Sequence, residues 1–122
     1  AEAEADAWAK YARSAPQTWA RIAAPRSELR ALLDTIPPHD RWWGSPGVGV
    51  AHWAVNADAG GLKEMRSRVE AAGGSLVMLA AADDLMREVG AWGTPPRTID
   101  VMRRLKRAFD PGDVLNPGRF VY

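Results

Sequence analysis

The first half of the chain alternates between apolar spacings typical of strands and of helices. Residues 18–24 set a tryptophan and an isoleucine among small residues before Pro25, which predicts a strand. Ser27 is then expected to cap a helix with its side chain, and Pro37 to stop it, because proline lacks the amide that a helix interior requires. Between them, four apolar residues share one helical face at i, i+3, i+4 and i+7: Leu29, Leu32, Leu33 and Ile36.

The middle of the chain predicts a hairpin, a second helix and a further strand. Residues 41–43 and 48–55 flank the tetrapeptide at 44–47, whose glycines and proline suit a tight turn. Past the hairpin, three apolar residues are spaced as on a helix: Leu62, Met65 and Val69. Gly73-Gly74 is expected to end that helix with a left-handed residue, and residues 76–79 then predict a short buried strand.

The predicted order is strand, helix, strand, strand, helix, strand, which is typical of ferredoxin-like folds with two helices on one face of an antiparallel sheet. The fold class is therefore α+β. A third helix is predicted to begin near Thr94 or Thr98 and to end at Asp110-Pro111, and residues 112–122, which lack a period, predict an extended tail. The residues expected to face inward on that helix are Ile99, Met102, Leu105 and Phe109.

Length and composition add limits on domain organisation and chemistry. The 122 residues suit one domain, which is assigned to residues 18–122. The chain begins with alternating alanine and glutamate, so residues 1–17 are interpreted as either an N-terminal helix or a vector-derived segment. The chain is 47% hydrophobic and 25% charged with a net charge of +1, so charge names no partner. The absence of cysteine excludes thiolate chemistry, and no apolar run reaches the roughly 18 residues that span a bilayer. A soluble, cytoplasmic protein is expected.

The most specific stretch is residues 102–120, which read MRRLKRAFDPGDVLNPGRF. It resembles the ending of FAD-linked oxidases of the vanillyl-alcohol-oxidase superfamily, in which a basic amphipathic helix runs into Phe-Asp-Pro, a short turn, and Leu-Asn-Pro-Gly followed by Lys or Arg. Within that group, the sequence Asn-Pro-Gly-Arg at 116–119 looks most similar to the E subunit of glycolate oxidase. Weaker similarities extend the resemblance upstream to about Trp19.

The resemblance implies the C-terminal domain of a flavin-dependent subunit that passes a hydride from glycolate or a similar 2-hydroxy acid to FAD. It implies that three residues lie close to this cofactor: Asn116, Gly118 and Arg119. Asn116 would offer a side-chain amide, Gly118 would let the backbone approach the ligand closely, and Arg119 would present a forked cation. Most of the FAD would be held by a separate N-terminal domain of the same subunit, so the chain alone is expected to retain no flavin and to be inactive. Other glycolate-oxidase-type subunits are implied partners, through which the protein would lie peripherally on the inner membrane. No catalytic residue is assigned.

Two alternatives remain open from the residues alone. Asp110-Pro111 and Asn116-Pro117 are ordinary turn formers, and Arg119 could pair with a surface carboxylate. The chain could then be a freestanding ferredoxin-like binding or assembly domain that keeps the tail for packing only. The glycines of residues 44–49 are interpreted as a structural turn, since no helix follows them to receive a phosphate.

Histidines and tryptophans give weaker signals. His39 and His52 lack the spacing to other ligands that indicates a metal, so no metal site is predicted and His52 is interpreted as a strand-face residue. Trp42, Trp43 and Trp53 could lie on one sheet, but the strands lack the alternation of aromatic and basic residues found in RNA-recognition modules. Nucleic acid is therefore not an expected partner, and the tryptophans are predicted to form a core or an interface to another domain.

Overall fold

A computed structural model describes residues 17–118, which divide into two compact units, residues 17–91 and residues 92–118. The predicted N-terminal segment 1–17 therefore lies almost wholly outside the described residues. The elements of the first unit are β1 (Trp19–Ala23), α1 (Arg26–Leu33), β2 (Arg41–Ser45), β3 (Val50–Ala54), α2 (Ala59–Ala71), β4 (Ser75–Ala80) and α3 (Asp83–Val89). The second unit contains α4 (Ile99–Phe109) and the residues that follow it.

The four strands form one antiparallel sheet in the order β2-β3-β1-β4. This order places the first strand between the third and the fourth, as in ferredoxin-like folds, and the predicted α+β class is confirmed. In the register of the three strands β1, β2 and β3, His52 on β3 lies opposite Arg21 on β1 and opposite Trp43 on β2. Because strand side chains alternate between faces, these three residues share the same face of the sheet.

The other face of the sheet carries the core of the first unit. Alternate strand residues pack there against the apolar sides of α1, α2 and α3, and the four residues predicted to face inward on the first helix are all buried. Trp53 is the largest buried side chain and is 1% exposed. The core residues are Ala20, Ile22, Leu29, Leu32, Leu33, Ile36, Ala51, Trp53, Leu62, Met65, Val69, Leu76, Met78 and Val89.

Helix α1 differs from the sequence prediction at both ends. It ends at Leu33, with Asp34 as its C-cap, so it does not reach Ile36 or Pro37. The expectation that Ser27 caps α1 is wrong, because Pro25 occupies the N-cap position and Ser27 lies inside the first turn without a capping side-chain bond. At the start of α2, the side chain of Asp58 accepts a 2.9 Å hydrogen bond from the amide of Gly61. The left-handed residue expected after α2 is Gly73, whose φ is +76°.

The hairpin between β2 and β3 follows the prediction, with a short 3-10 turn at Pro46–Val48. Two of its three glycines serve close backbone packing, whereas a Cβ on Gly47 would meet nothing within 4 Å. A Cβ on Gly44 would lie 2.4 Å from the carbonyl oxygen of Val50, and one on Gly49 would lie 2.3 Å from that of Ala24. Gly44 and Gly49 therefore have a structural role in this turn.

Helix α3, which the sequence did not predict, is anchored by a buried arginine. Arg66 on α2 is 8% exposed, and its guanidinium donates to the carbonyl oxygen of Val89 and, at 2.7 Å, to that of Gly90. These carbonyls end α3 and lack helical partners, so the cation satisfies them and ties the two helices together. No helix among residues 17–118 is long and apolar enough to cross a membrane.

Candidate functional site

The second unit is built around α4, a strongly amphipathic helix. Thr98 is its N-cap residue and Asp110 its C-cap, in agreement with the predicted bounds. Arg103, Arg104 and Arg107 occupy one side of the helix, and the apolar residues occupy the other. None of the residues of α4 is buried.

The prediction that the apolar side of this helix faces inward is wrong for two of its residues. Leu105 is 54% exposed and Phe109 is 83% exposed, whereas Ile99 and Met102 are half-buried. The sequence period correctly identified an apolar face, but nothing in residues 92–118 covers its C-terminal half. Val114 and Leu115 beyond the helix are exposed as well, at 75% and 63%.

Asp110 organises the chain after α4. Its side chain is 3% exposed, and its two oxygens accept 2.9 Å hydrogen bonds from the amides of Val114 and Leu115. Its own amide donates to the carbonyl oxygen of Lys106 at 2.8 Å, and its carbonyl accepts from the amide of Asp113 at 3.1 Å. One residue thus ends the helix and folds the next five residues into turns. The described part of the predicted tail, residues 112–118, contains no helix or strand and is bent.

Lys106 closes this network from the last turn of α4. Its ammonium donates to the carboxylate of Asp110, to that of Asp113 at 3.0 Å and to the carbonyl oxygen of Leu115 at 2.9 Å. The three donors of the ammonium are therefore all used. Because the lysine reaches four residues forward to the C-cap of its helix and nine residues forward to Leu115, it fixes the tail against the end of its own helix.

The electrostatics of the network follow from these bonds. The hydrogen bond from Lys106, followed by the backbone amide of Leu115, lowers the pKa of Asp110 from 3.8 to about 2. Hydrogen bonds to Asp110 and then to Asp113 raise the pKa of Lys106 above its ordinary value of 10.5. Both groups are thus held in their charged forms across the physiological range of pH.

The network leads directly into two of the three predicted cofactor residues. Asn116 adopts a left-handed φ of +50° and Gly118 one of +70°, while Arg119 lies outside the described residues. Asparagine tolerates the left-handed region better than most residues because its side chain is short and polar. The side-chain amide of Asn116 is exposed and makes no hydrogen bond to residues 17–118. A Cβ on Gly118 would meet nothing within 4 Å, so its glycine is required by φ and not by close packing.

These residues fit a contact to one edge of a flavin. A free amide can donate to and accept from the polar edge of the ring system, and the open space at Gly118 leaves that approach clear. They do not fit a complete dinucleotide site, because residues 44–49 form the only glycine-containing hairpin turn in the described strands, and two of its three glycines, Gly44 and Gly49, are packed against backbone. The geometry therefore supports a contributing role and not a self-sufficient cofactor pocket.

Sequence reasoning missed the residues that shape this site. It interpreted Asp110 as part of a helix end and gave Lys106 no individual role. Their spacing of four residues was a usable signal, since side chains at i and i+4 meet on a helix surface. The bonds from Asp110 to the amides of Val114 and Leu115 had no comparable signal.

The histidines lie apart from this tail in the chain. His39 is exposed, and His52 is a strand-face residue as interpreted from the sequence. Within residues 17–118, no group of three or more histidine, aspartate or glutamate side chains is arranged to hold a metal ion.

Residues 85–120 match the family described as FAD linked oxidases, C-terminal domain. The matched segment covers about three tenths of the chain and includes α4, the whole network of Asp110 and Lys106, and the predicted cofactor residues. No curated protein and no solved structure matches the chain. The match supports the FAD-linked oxidase ending identified in the sequence, with FAD as the cofactor of the family and an N-terminal domain as the partner of such a C-terminal domain. The upstream extension of the resemblance to Trp19 stays a prediction.

Proposed function

We propose that this chain is the C-terminal domain of a flavin-dependent 2-hydroxy-acid oxidase subunit of the glycolate oxidase type. Its role is to cover an FAD held mainly by the N-terminal domain of the same subunit, and other subunits of that oxidase are its further partners. The observation that carries this proposal is the coincidence of the family match with the folded tail. The matched residues 85–120 contain the network of Lys106 and Asp110 that ends in the free amide of Asn116.

The first support is the way in which polar bonds are distributed along the tail. The backbone between Asp110 and Leu115 is held by hydrogen bonds to one buried carboxylate, whereas the next side chain, Asn116, is left without a partner among the described residues. When a ligand binds to an unused amide on a backbone that is already ordered, little conformational entropy is lost. This arrangement is what a cofactor contact requires.

The second support is a surface that needs a partner. Five exposed apolar side chains follow each other along α4 and the tail, and we call them the apolar surface: Val101, Leu105, Phe109, Val114 and Leu115. Large exposed apolar patches are typical of surfaces that bind a partner. In the proposed subunit, the N-terminal flavin domain covers them.

In the assembled subunit, the residues of this chain position the cofactor. Asn116 would donate to or accept from the edge of the flavin, Gly118 would allow its approach, and Arg119 would supply a positive charge nearby. FAD bound there would supply the hydride acceptor for oxidation of the 2-hydroxy acid. The chain contributes position and charge to this step.

Reconstitution with the flavin domain tests the proposal. The N-terminal domain of the same subunit is mixed with this chain, and flavin bound to protein is measured by its absorbance after gel filtration. The wild-type chain should give a flavin-containing complex, and the double variant Asn116→Ala/Arg119→Ala should release flavin about tenfold more readily, as expected for the loss of hydrogen bonds to a charged or polar ligand. Arg97→Ala, an exposed arginine outside the tail, is the matched control and should retain flavin fully.

The outcomes separate the parts of the proposal. A complex that keeps its flavin equally well with the double variant would remove the cofactor role of the tail. A chain that remains colourless and does not bind the flavin domain would instead favour a freestanding binding or assembly domain. Turnover of glycolate against longer 2-hydroxy acids by the reconstituted subunit then tests the substrate.

A further inference from the structure

One face of the sheet in the first unit is free of its helices. The helices α1, α2 and α3 place their buried residues in the core on the other face. On β1, β2 and β3, every second residue points to the free face. We call five of these residues the aromatic face: Trp19, Arg21, Arg41, Trp43 and His52.

Three rings at the centre of this face are already assembled. The ring centroids of Trp43 and His52 are 5.5 Å apart, as are those of Trp19 and His52, and those of the two tryptophans are 5.9 Å apart. The planes differ by 14° to 29°, so the rings are stacked. All three side chains are only half-buried, which leaves part of a rigid, preformed π surface accessible.

The charge of this face has one sign. The four strands contain two arginines, Arg21 and Arg41, and no aspartate or glutamate. Arg21 lies directly opposite His52 in the register and is exposed. Burial, followed by the charge of Arg21, lowers the pKa of His52, so the histidine stays neutral and the arginines alone supply the charge.

We propose that the aromatic face binds a small aromatic carboxylate, with the ring of the ligand against the Trp19–His52–Trp43 cluster and its carboxylate paired with Arg21. A planar ring gains from offset contact with indole surfaces, and the forked guanidinium matches a carboxylate. The absence of acidic residues from the four strands removes the repulsion that would oppose such an anion. The inference concerns the first unit alone and does not depend on the flavin role of the tail.

The number of cations favours a small anion over a nucleic acid strand. Single-stranded nucleic acids carry a phosphate at every nucleotide, and their binding grooves line up several cations along the backbone. The aromatic face offers two arginines on different strands. One of them, Arg21, faces the ring cluster directly across the β1–β3 pair, which suits one anionic group attached to one ring.

Titration of the full chain with phenylacetate, followed by NMR, tests the proposal. The indole N–H signals of Trp19 and Trp43 should shift and saturate with a Kd of about 1 mM, the range expected for a ligand with so few atoms. Acetate, which has the charge without the ring, and phenylacetamide, which has the ring without the charge, should each bind at least about tenfold more weakly.

Two variants and a control locate the site. Arg21→Gln and Trp43→Leu should each weaken phenylacetate binding about tenfold. Arg87→Gln removes the same charge from an exposed position on α3, away from the aromatic face, and should bind phenylacetate like the wild type. Arg21 is exposed and is no part of the core of the first unit, so Arg21→Gln should keep the thermal stability of the chain, which a melting curve checks in parallel.

The proposal is overturned if phenylacetate produces no saturable shift, if acetate binds as well as phenylacetate, or if Arg21→Gln binds normally. A single-stranded oligonucleotide that shifts the same indole signals while phenylacetate does not would also overturn it, because the ligand class would then be wrong. Saturable shifts at both tryptophans that depend on ring and charge together support it.

Discussion

The two units of this chain are held together in opposite ways. Residues 17–91 bury a continuous apolar core between one face of a sheet and three helices, with Trp53 only 1% exposed at its centre. Residues 92–118 bury none of the residues of α4, and their most buried side chain is the carboxylate of Asp110, 3% exposed. The first unit is organised by apolar burial and the second by a charged network.

This difference indicates which unit can stand alone. Burial of apolar side chains is the dominant favourable contribution to folding, and the first unit obtains it within its own residues. The second unit leaves Leu105 and Phe109 exposed, and the hydrogen bonds of its buried carboxylate fold the five residues after the helix. A polar network specifies geometry more than it adds stability, so the second unit is suited to meeting a partner.

The largest effect is expected from breaking the core of the first unit. Trp53→Ala removes the largest buried side chain and its 2.7 Å hydrogen bond to Asp40, and should lower the free energy of unfolding by about 3–5 kcal/mol. Its partner in the register, Trp42, is 44% exposed, so Trp42→Ala should cost about 1 kcal/mol or less. Urea unfolding followed by circular dichroism measures both, and equal effects would contradict a core centred on Trp53.

A smaller loss is expected from the one buried cation of that unit. Arg66→Met keeps much of the apolar stem but removes the bonds to the carbonyls of Val89 and Gly90, which should cost about 1.5–3 kcal/mol. Arg68→Met, two residues along the same helix, removes only an exposed ion pair with Glu64 and should cost about 0.5 kcal/mol or less. Thermal melting compares the two, and a harmless Arg66→Met would show that α3 is held by packing alone.

In the second unit, removal of the Asp110 carboxylate should loosen the backbone that follows α4. Asp110→Asn cannot accept from both amides and weakens the hold of Lys106, so the amides of Val114 and Leu115 should exchange with solvent about tenfold faster. Asp113→Asn alters a more exposed partner of Lys106 and should change these amides less. Hydrogen exchange measured by NMR reports both, with the amides of the sheet as an internal reference that should not change.

The same network should show a defined dependence on pH. The pKa of Asp110 in the fold, about 2, lies below its ordinary value of 3.8, so its contribution is complete above about pH 4 and is lost as the pH falls toward 2. The pKa of Lys106 is raised, so its contribution to stability depends on pH in the opposite sense. That contribution is present below about pH 10.5 and is lost at higher pH. Chemical shifts of the Val114 and Leu115 amides should follow the acid limb in the wild type and stay flat in Asp110→Asn.

Much of the first unit could be predicted from sequence because its determinants are local and periodic. The spacing from Leu29 to Ile36 identified the buried face of α1, and the glycines after α2 identified the end of that helix. Helix α3 was missed because seven residues give too short a period to recognise. The role of Arg66 could not be predicted either, since its partners lie more than twenty residues further along the chain.

The hydrogen-bond network of the candidate site could not be predicted from the sequence, and the role of its residues at a cofactor stays a prediction. The resemblance directed attention to Asn116 and Gly118, and both prove to have left-handed backbones, which their residue types allow. The apolar period of α4 was recognised, but a period cannot tell whether a face is covered within the chain or by another domain. That distinction depends on what surrounds Leu105 and Phe109, which only a structure describes.

The central claim is that the second unit is shaped to meet a flavin domain. Isothermal titration of the N-terminal flavin domain of the same subunit with Leu105→Ser/Phe109→Ser tests it most directly, with Trp42→Ser, an exposed apolar residue of the first unit, as the control. The account predicts that the double variant binds at least about a hundredfold more weakly than the wild type, since two apolar anchors are lost, and that the control binds normally. Equal binding by the double variant and the wild type would contradict it.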